Sequence, residues 1–308
     1  MIDGTLAEVA QAFAARGVRF LLLKGPSFAR WLYADPRRRA YLDIDLLVDP
    51  QCFAAAEACL AERRFVHEPA GAHPHELDDY HEVWRRPGLH DVAVELHRRL
   101  FVAPAPPERA WEVLARDLRP IDVAGAKVDT PGPPGLALIV VLHAVMHGVK
   151  DAKCAEDLRR ALLKADRPTW QEAAALAHEL GASEAFAVGL RLSPRGRELA
   201  DTLGLPARPS SRQLLLSASS APATAAGIEW LVSTPGVIGR LRLLLGELFP
   251  SPQFMRLWFP LSRRHRWAMG LGYAWRPLWL AARLPAGLRA WLQAARNVDR
   301  SRLSLPRR

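Results

Sequence analysis

Cysteine is scarce in this chain: Cys52, Cys59 and Cys154 are the three among 308 residues. None stands in a C-x-x-C pair and the count is odd, so neither a disulfide framework nor a cysteine-built zinc site is expected. Such usage fits a reducing, cytoplasmic setting. Lysine is nearly as rare. Of 42 basic residues, Lys24, Lys127, Lys150, Lys153 and Lys164 are the only lysines. The net charge is nevertheless +10. A basic surface favours nucleotides, nucleic acid or anionic lipid. An arginine bias with much alanine, proline and glycine also follows from a GC-rich coding sequence, so charge alone names no partner. Long apolar runs are missing too. The apolar stretches near the C-terminus are interrupted by Arg276 and Arg283, and none reaches the ~18–20 residues a bilayer span needs. The opening MIDGTLAEVAQAFAARGV lacks a basic start followed by an apolar run and is not expected to be a secretory signal.

Half the residues are hydrophobic, enough for a core. At ~100–200 residues per domain the length suggests two domains. Residues 5–16 carry Leu6, Val9, Ala10 and Phe13 at helical spacing and stop at Gly17. Residues 18–23 form an apolar run of strand length, broken by Lys24-Gly25-Pro26-Ser27, after which a short helix is expected to Tyr33. DIDLLV, residues 43–48, is a strand ended by Asp49-Pro50. Residues 51–64 read as an amphipathic helix. Residues 83–86 and 91–96, either side of Pro87-Gly88, read as a hairpin.

These elements make an α+β fold: a small, mixed, mainly antiparallel sheet over residues 1–103, followed by an α-helical region. Residues 104–135, rich in proline and glycine, read as a linker. Residues 136–205 read as a helical domain, and 206–308 as a basic, aromatic-rich helical C-terminal region that begins with a loose Ser/Ala/Pro segment over 206–226.

The chemistry gathers on the first domain. In a strand alternate residues share a face, so Asp43 and Asp45 project together while Ile44, Leu46 and Val48 face a core. Like charges so close need a cation between them. Magnesium suits, because hard cations take oxygen ligands and also hold phosphates. D-x-D alone is equally a pair of solvated acids. Glu95 shifts the balance: in VAVELH it shares a face with His97, opposite Val92, Val94 and Leu96, and a neighbouring strand would bring it beside the aspartates. Upstream, LLLKG is a strand ending in a turn that opens a helix, where backbone N–H groups and the helix dipole suit phosphate.

LLLKG, an arginine shortly before DIDLLV, and then VELH resemble the bacterial nucleotidyltransferase family within the DNA polymerase β-like superfamily. PPGLALIVVLHAVMHG, Asp157-Leu158 and Trp170 extend the resemblance over residues 15–195. It implies a magnesium-dependent enzyme that moves a nucleoside monophosphate from an NTP, with ATP expected, to an acceptor. Asp43, Asp45 and Glu95 would be the catalytic, metal-holding acids. Lys24, Gly25, Ser27 and Arg39 would bind the nucleotide, although Pro26 stands where the superfamily has Gly or Ser directly after the first glycine. The acceptor is not readable: a protein or peptide, a small molecule and an RNA end all stay open. The rivals are a non-catalytic nucleotide-binding or antitoxin-like module, and a basic membrane-surface or nucleic-acid adaptor.

Weaker signals remain. His143 and His147 are four apart on one helix face, but no H-E-x-x-H base accompanies them, so packing or hydrogen bonding is expected. His73, His75, His81 and His90 precede the third acid; lining of the acceptor pocket is one reading, and loop and hairpin surface for most of them is the other. Residues 267–292 mix Trp, Leu and Arg. That suits peripheral contact with anionic lipid, and equally a helix packed on its own protein with arginine stems over apolar surface.

Overall fold

The computed structural model describes residues 2–68, 81–87, 92–148, 150–207 and 211–303. The described residues up to Ala207 form one compact unit and those from Ser211 onward a second.

The first unit opens with helix α1 (Ile2–Ala14), whose buried Leu6, Val9, Ala10 and Phe13 follow the helical spacing of the sequence. Gly17, at φ +67°, turns the chain into strand β1 (Phe20–Leu22). Helix α2 (Pro26–Leu32) follows, with Gly25 as its N-cap. Strand β2 (Asp43–Val48) is bounded by Asp49, whose carboxylate accepts from the Gln51 backbone N–H. Helix α3 (Phe53–Glu62) leads to strands β3 (Val66–Glu68), β4 (His81–Arg86) and β5 (Val92–His97). The sheet order is β1-β2-β5-β4-β3. β2 runs parallel to β5, and the other pairs are antiparallel. The turn of the expected hairpin, residues 88–91, lies outside the described residues.

One face of this sheet is the core. Ile44, Leu46 and Val48 of β2 and Val92, Val94 and Leu96 of β5 pack with Leu6, Val9 and Phe13 of α1 and Ala56 and Leu60 of α3. Each of these side chains larger than alanine contributes about 1.5–3 kcal/mol by leaving water. The acids therefore occupy the opposite face.

The segment expected as a linker is ordered. It holds helix α4 (Pro107–Leu114) and a hairpin of β6 (Leu118–Val123) and β7 (Ala126–Pro131). Ala124 and Gly125 both have positive φ, the backbone of a tight two-residue hairpin turn. Val123, Ala126 and Val128 join the core, and Thr130 Oγ1 donates to the Leu22 carbonyl at 2.8 Å. Five helices follow: α5 (Pro133–His147), α6 (Ala152–Lys164), α7 (Arg167–Glu179), α8 (Ser183–Leu190) and α9 (Pro194–Thr202).

The second unit is helical. It comprises α10 (Arg212–Ala218), α11 (Ala223–Ser233), α12 (Val237–Leu248), α13 (Pro252–Trp258), α14 (Leu261–Arg264) and α15 (Ala268–Leu303). The expected loose segment 206–226 is in large part helical, because Leu216 and Ala225 find apolar partners in Ala294 and Trp291 of α15. Arg276 is buried among aromatic rings, with its guanidinium over Phe254 and Trp258 and paired with Glu247. Among the described residues no helix is long and apolar enough to cross a membrane.

Candidate active site

Strand register brings the acids together. In the parallel β2–β5 pair Asp45 stands opposite Glu95 and Asp43 opposite Ala93, so the three carboxylates share the face away from the core. Asp45 is fully buried, while the Asp43 and Glu95 side chains keep 35% and 21% of their exposure. Asp43 therefore lies at the mouth of the cluster and Asp45 at its floor.

Two basic groups hold the acids. Lys24 leaves β1 and places Nζ 2.8 Å from Asp45 Oδ1 and 3.7 Å from Asp43 Oδ2. His97 sits two residues past Glu95 on the same face, with Nε2 3.0 Å from Asp45 Oδ1 and 3.4 Å from Glu95 Oε2. Burial on its own would lower the Lys24 pKa, but Asp45, Glu95 and Asp43 outweigh it and hold the ammonium above its ordinary value. Burial likewise opposes the charged His97 ring, yet its bonds to Asp45 and Glu95 raise its pKa. Burial would raise the Glu95 carboxyl. The bond and charge of His97, with the charge of Lys24, pull it down to about 2.

Asp45 Oδ2 is buried without a hydrogen-bond partner. A buried carboxylate oxygen with nothing to accept from is costly, and a cation bound there would satisfy it. Asp45, Glu95 and His97 each offer a ligand atom within 4.8 Å of the others. With Asp43 at the rim, the donor set is mainly carboxylate oxygen, the chemistry a hard divalent cation takes. The residues fit a divalent metal.

Gly25 shapes the turn beside them. Its φ of +69° is a left-handed conformation, and a Cβ there would lie 3.6 Å from the Asp43 carbonyl. The remaining expected nucleotide ligands are engaged elsewhere. Ser27 is buried and its Oγ donates to the Leu23 carbonyl at 3.0 Å. Arg39 is buried too. Its guanidinium binds both oxygens of Asp157 at 2.7–3.0 Å, reaches the Gly25 carbonyl at 3.3 Å and covers Phe28. Both side chains brace the turn from inside.

Two histidines join the acidic face. His81 pairs with His97 across β4 and β5 and stacks on it at 5.2 Å. The usable signal was parity: His81 sits an even number of residues from Val83, the partner of Glu95. His143 of α5 lines a cavity with Lys24, Glu95, His97, Leu100 and Phe101, so helix α5 roofs the acidic face. His73, His75 and His90 lie outside the described residues.

Residues 1–195 match the protein family described as uncharacterised nucleotidyltransferase. Two solved structures are similar to parts of the chain. One is an antigenic nucleotidyltransferase-like protein from Paracoccidioides brasiliensis: 16% identity, 60% of this chain and 91% of that one covered, TM-score 0.38. The other is the antibiotic-resistance factor ANT(2'')-Ia: 14% identity, 59% and 94% covered, TM-score 0.43. No curated protein matches the sequence.

Proposed function

The chain belongs to the uncharacterised nucleotidyltransferase family, and from that premise we propose that it transfers a nucleoside monophosphate from an NTP, ATP in our reading, to an acceptor hydroxyl at the Asp43–Asp45–Glu95 cluster. The observation that carries the assignment is the pairing of Asp45 with Glu95, in register and on one face with Asp43, with Asp45 Oδ2 left unbonded.

Asp43, Asp45 and Glu95 would hold Mg2+. Bound there, the metal would offset charge on the phosphates and make an acceptor hydroxyl more acidic. The acceptor oxygen bonds to the α-phosphorus, the bond from that phosphorus to the bridging oxygen of the β-phosphate breaks, and pyrophosphate leaves. The hydroxyl proton goes to a carboxylate of the cluster or to solvent. The protein's part is placement and charge. Asp45 is fixed by Lys24 and His97, Glu95 by His97, and Gly25 keeps the turn beside Asp43 compact. Lys24, charged throughout the working pH range, supplies positive charge next to the incoming triphosphate.

The test is incubation of the protein with Mg2+, cell extract and each NTP in turn, labelled on the α- or the γ-phosphate. Label from the α-phosphate alone should appear on an acceptor, with pyrophosphate released. Tight nucleotide binding without turnover in any extract would favour the non-catalytic module, and γ-label transfer would replace the reaction with phosphoryl transfer.

Peripheral contact with anionic membrane through residues 267–292 is a second, separable proposal. Trp267, Leu271, Trp275 and Leu278 are all about half exposed or more, and such rings beside arginines suit a headgroup surface.

A further inference from the structure

Helices α5 and α6 carry a cluster that nucleotidyl transfer does not use. His143 and His147 share one face of the last turns of α5, with ring centroids 4.5 Å apart. Cys154, in the first turn of α6, puts its Sγ 3.4 Å from His143 Nδ1. Each of the three offers a ligand atom within 4.8 Å of the other two. Around a tetrahedral zinc ion, with Zn–S of about 2.3 Å and Zn–N of about 2.0–2.1 Å, neighbouring sulfur and nitrogen ligands stand about 3.5 Å apart. The Cys154–His143 separation is that of two ligands on one ion.

Asp151 Oδ2 lies 3.8 Å from His147 Nδ1, beyond hydrogen-bond reach, and places negative charge beside the ring. The Asp151 carboxylate also accepts from the Cys154 backbone N–H at 2.9 Å, which fixes the start of α6. One thiolate and two imidazoles make a borderline-soft set, suited to zinc and unlike the carboxylates around Asp45.

We propose that His143, His147 and Cys154 bind a zinc ion, with water in the fourth position. The sequence hid this site because its cysteine stands alone and the two histidines lack a motif. Binding is not a redox step: the Cys154 S–H proton leaves to solvent and a Zn–S bond takes its place. Burial pushes the free thiol up to about 12, so the metal itself must drive that proton off. The ion would pin the end of α5 to the start of α6, beside the wall of the catalytic cavity that His143 lines.

The full-length protein, purified without chelator, tests this by elemental analysis and by Co2+ titration of the metal-stripped form. Wild type and Asp45→Asn, which removes the floor of the carboxylate site, should both hold one zinc per chain. Both should show the strong visible bands of tetrahedral cobalt and a near-ultraviolet thiolate-to-cobalt band. Cys154→Ser should lose the thiolate band and bind zinc at least about tenfold more weakly, and His147→Gln should weaken it similarly. Wild type that takes up neither zinc nor cobalt overturns the proposal, and that result does not depend on any variant folding. Zinc retained at full strength in Cys154→Ser, or lost in Asp45→Asn, would overturn it too.

Discussion

Arg39 and Asp157 form a buried ion pair across 118 residues of sequence, with three nitrogen–oxygen contacts of 2.7–3.0 Å. Tyr33 donates its hydroxyl to the same carboxylate at 2.9 Å. The pair joins the loop before β2 to helix α6, so the helical segment is tied directly to the turn that frames the acids.

Removing one partner of such a pair leaves a buried charge uncompensated. Asp157→Asn should destabilise the protein by about 3–5 kcal/mol, read as a lower urea midpoint. Arg39→Lys should not restore wild-type stability with Asp157 intact, because an ammonium cannot make the two-pronged contact. Near-wild-type stability in either variant would remove the pair from the framework of the site.

Asp45→Asn should abolish nucleotidyl transfer while the far-ultraviolet circular dichroism stays native. Stability without metal should fall, by about 1–3 kcal/mol, because Asp45 accepts from both Lys24 and His97. An active Asp45→Asn enzyme would refute the assignment of the acids.

Lys24 neutralises Asp43 and Asp45 when no metal is present. Lys24→Met should therefore melt lower than wild type in EDTA, by an amount equivalent to about 1–3 kcal/mol. It should also gain more from added Mg2+ than wild type does, since the ion then replaces the lost charge. Differential scanning calorimetry with and without Mg2+ decides it. Equal Mg2+ gains in the two proteins would place the ion away from Lys24.

Glu95 gives a pH dependence with a defined sign. Its folded pKa of about 2 lies below the ordinary 4.5, despite burial, because of His97 and Lys24. The stability it lends to the metal-free protein is complete above pH 4.5 and is lost as the pH falls from there towards 2. Urea midpoints of wild type in EDTA should fall across that window more steeply than those of Glu95→Gln. Parallel curves would mean that Glu95 titrates normally.

Every residue of the acidic cluster belongs to the unit that ends at Ala207. A chain stopped near Ser210 should still bind Mg-NTP within about twofold of the full chain's Kd, a difference of about 0.4 kcal/mol. It should lose any affinity for anionic vesicles in flotation. Folded, soluble truncated protein that fails to bind Mg-NTP would place the C-terminal region in the nucleotide site.

The alternation in DIDLLV and VAVELH already located the acids and the core face, because a strand's period of two leaves little freedom once one face is apolar. That Asp45 would stand opposite Glu95 was not legible, since parallel register is set by packing between segments fifty residues apart. The β6–β7 hairpin was hidden by Pro120 and Pro131 and by its mostly exposed first strand, which read as breakers and loop. The inward bonding of Ser27 and Arg39 depends on partners that local sequence does not announce: the carbonyl of Leu23 and the carboxylate of Asp157.

The parallel pairing of β2 and β5 also makes the proposed catalytic centre a reporter of correct assembly. A slip of one residue would set hydrophobic Val94 or Leu96 opposite Asp45 and turn Glu95 toward the oil of the core. No partly correct chain would then possess a weakened centre; it would possess none. Turnover per molecule in a refolded sample therefore counts the fraction of molecules whose two strands have found each other in the right frame.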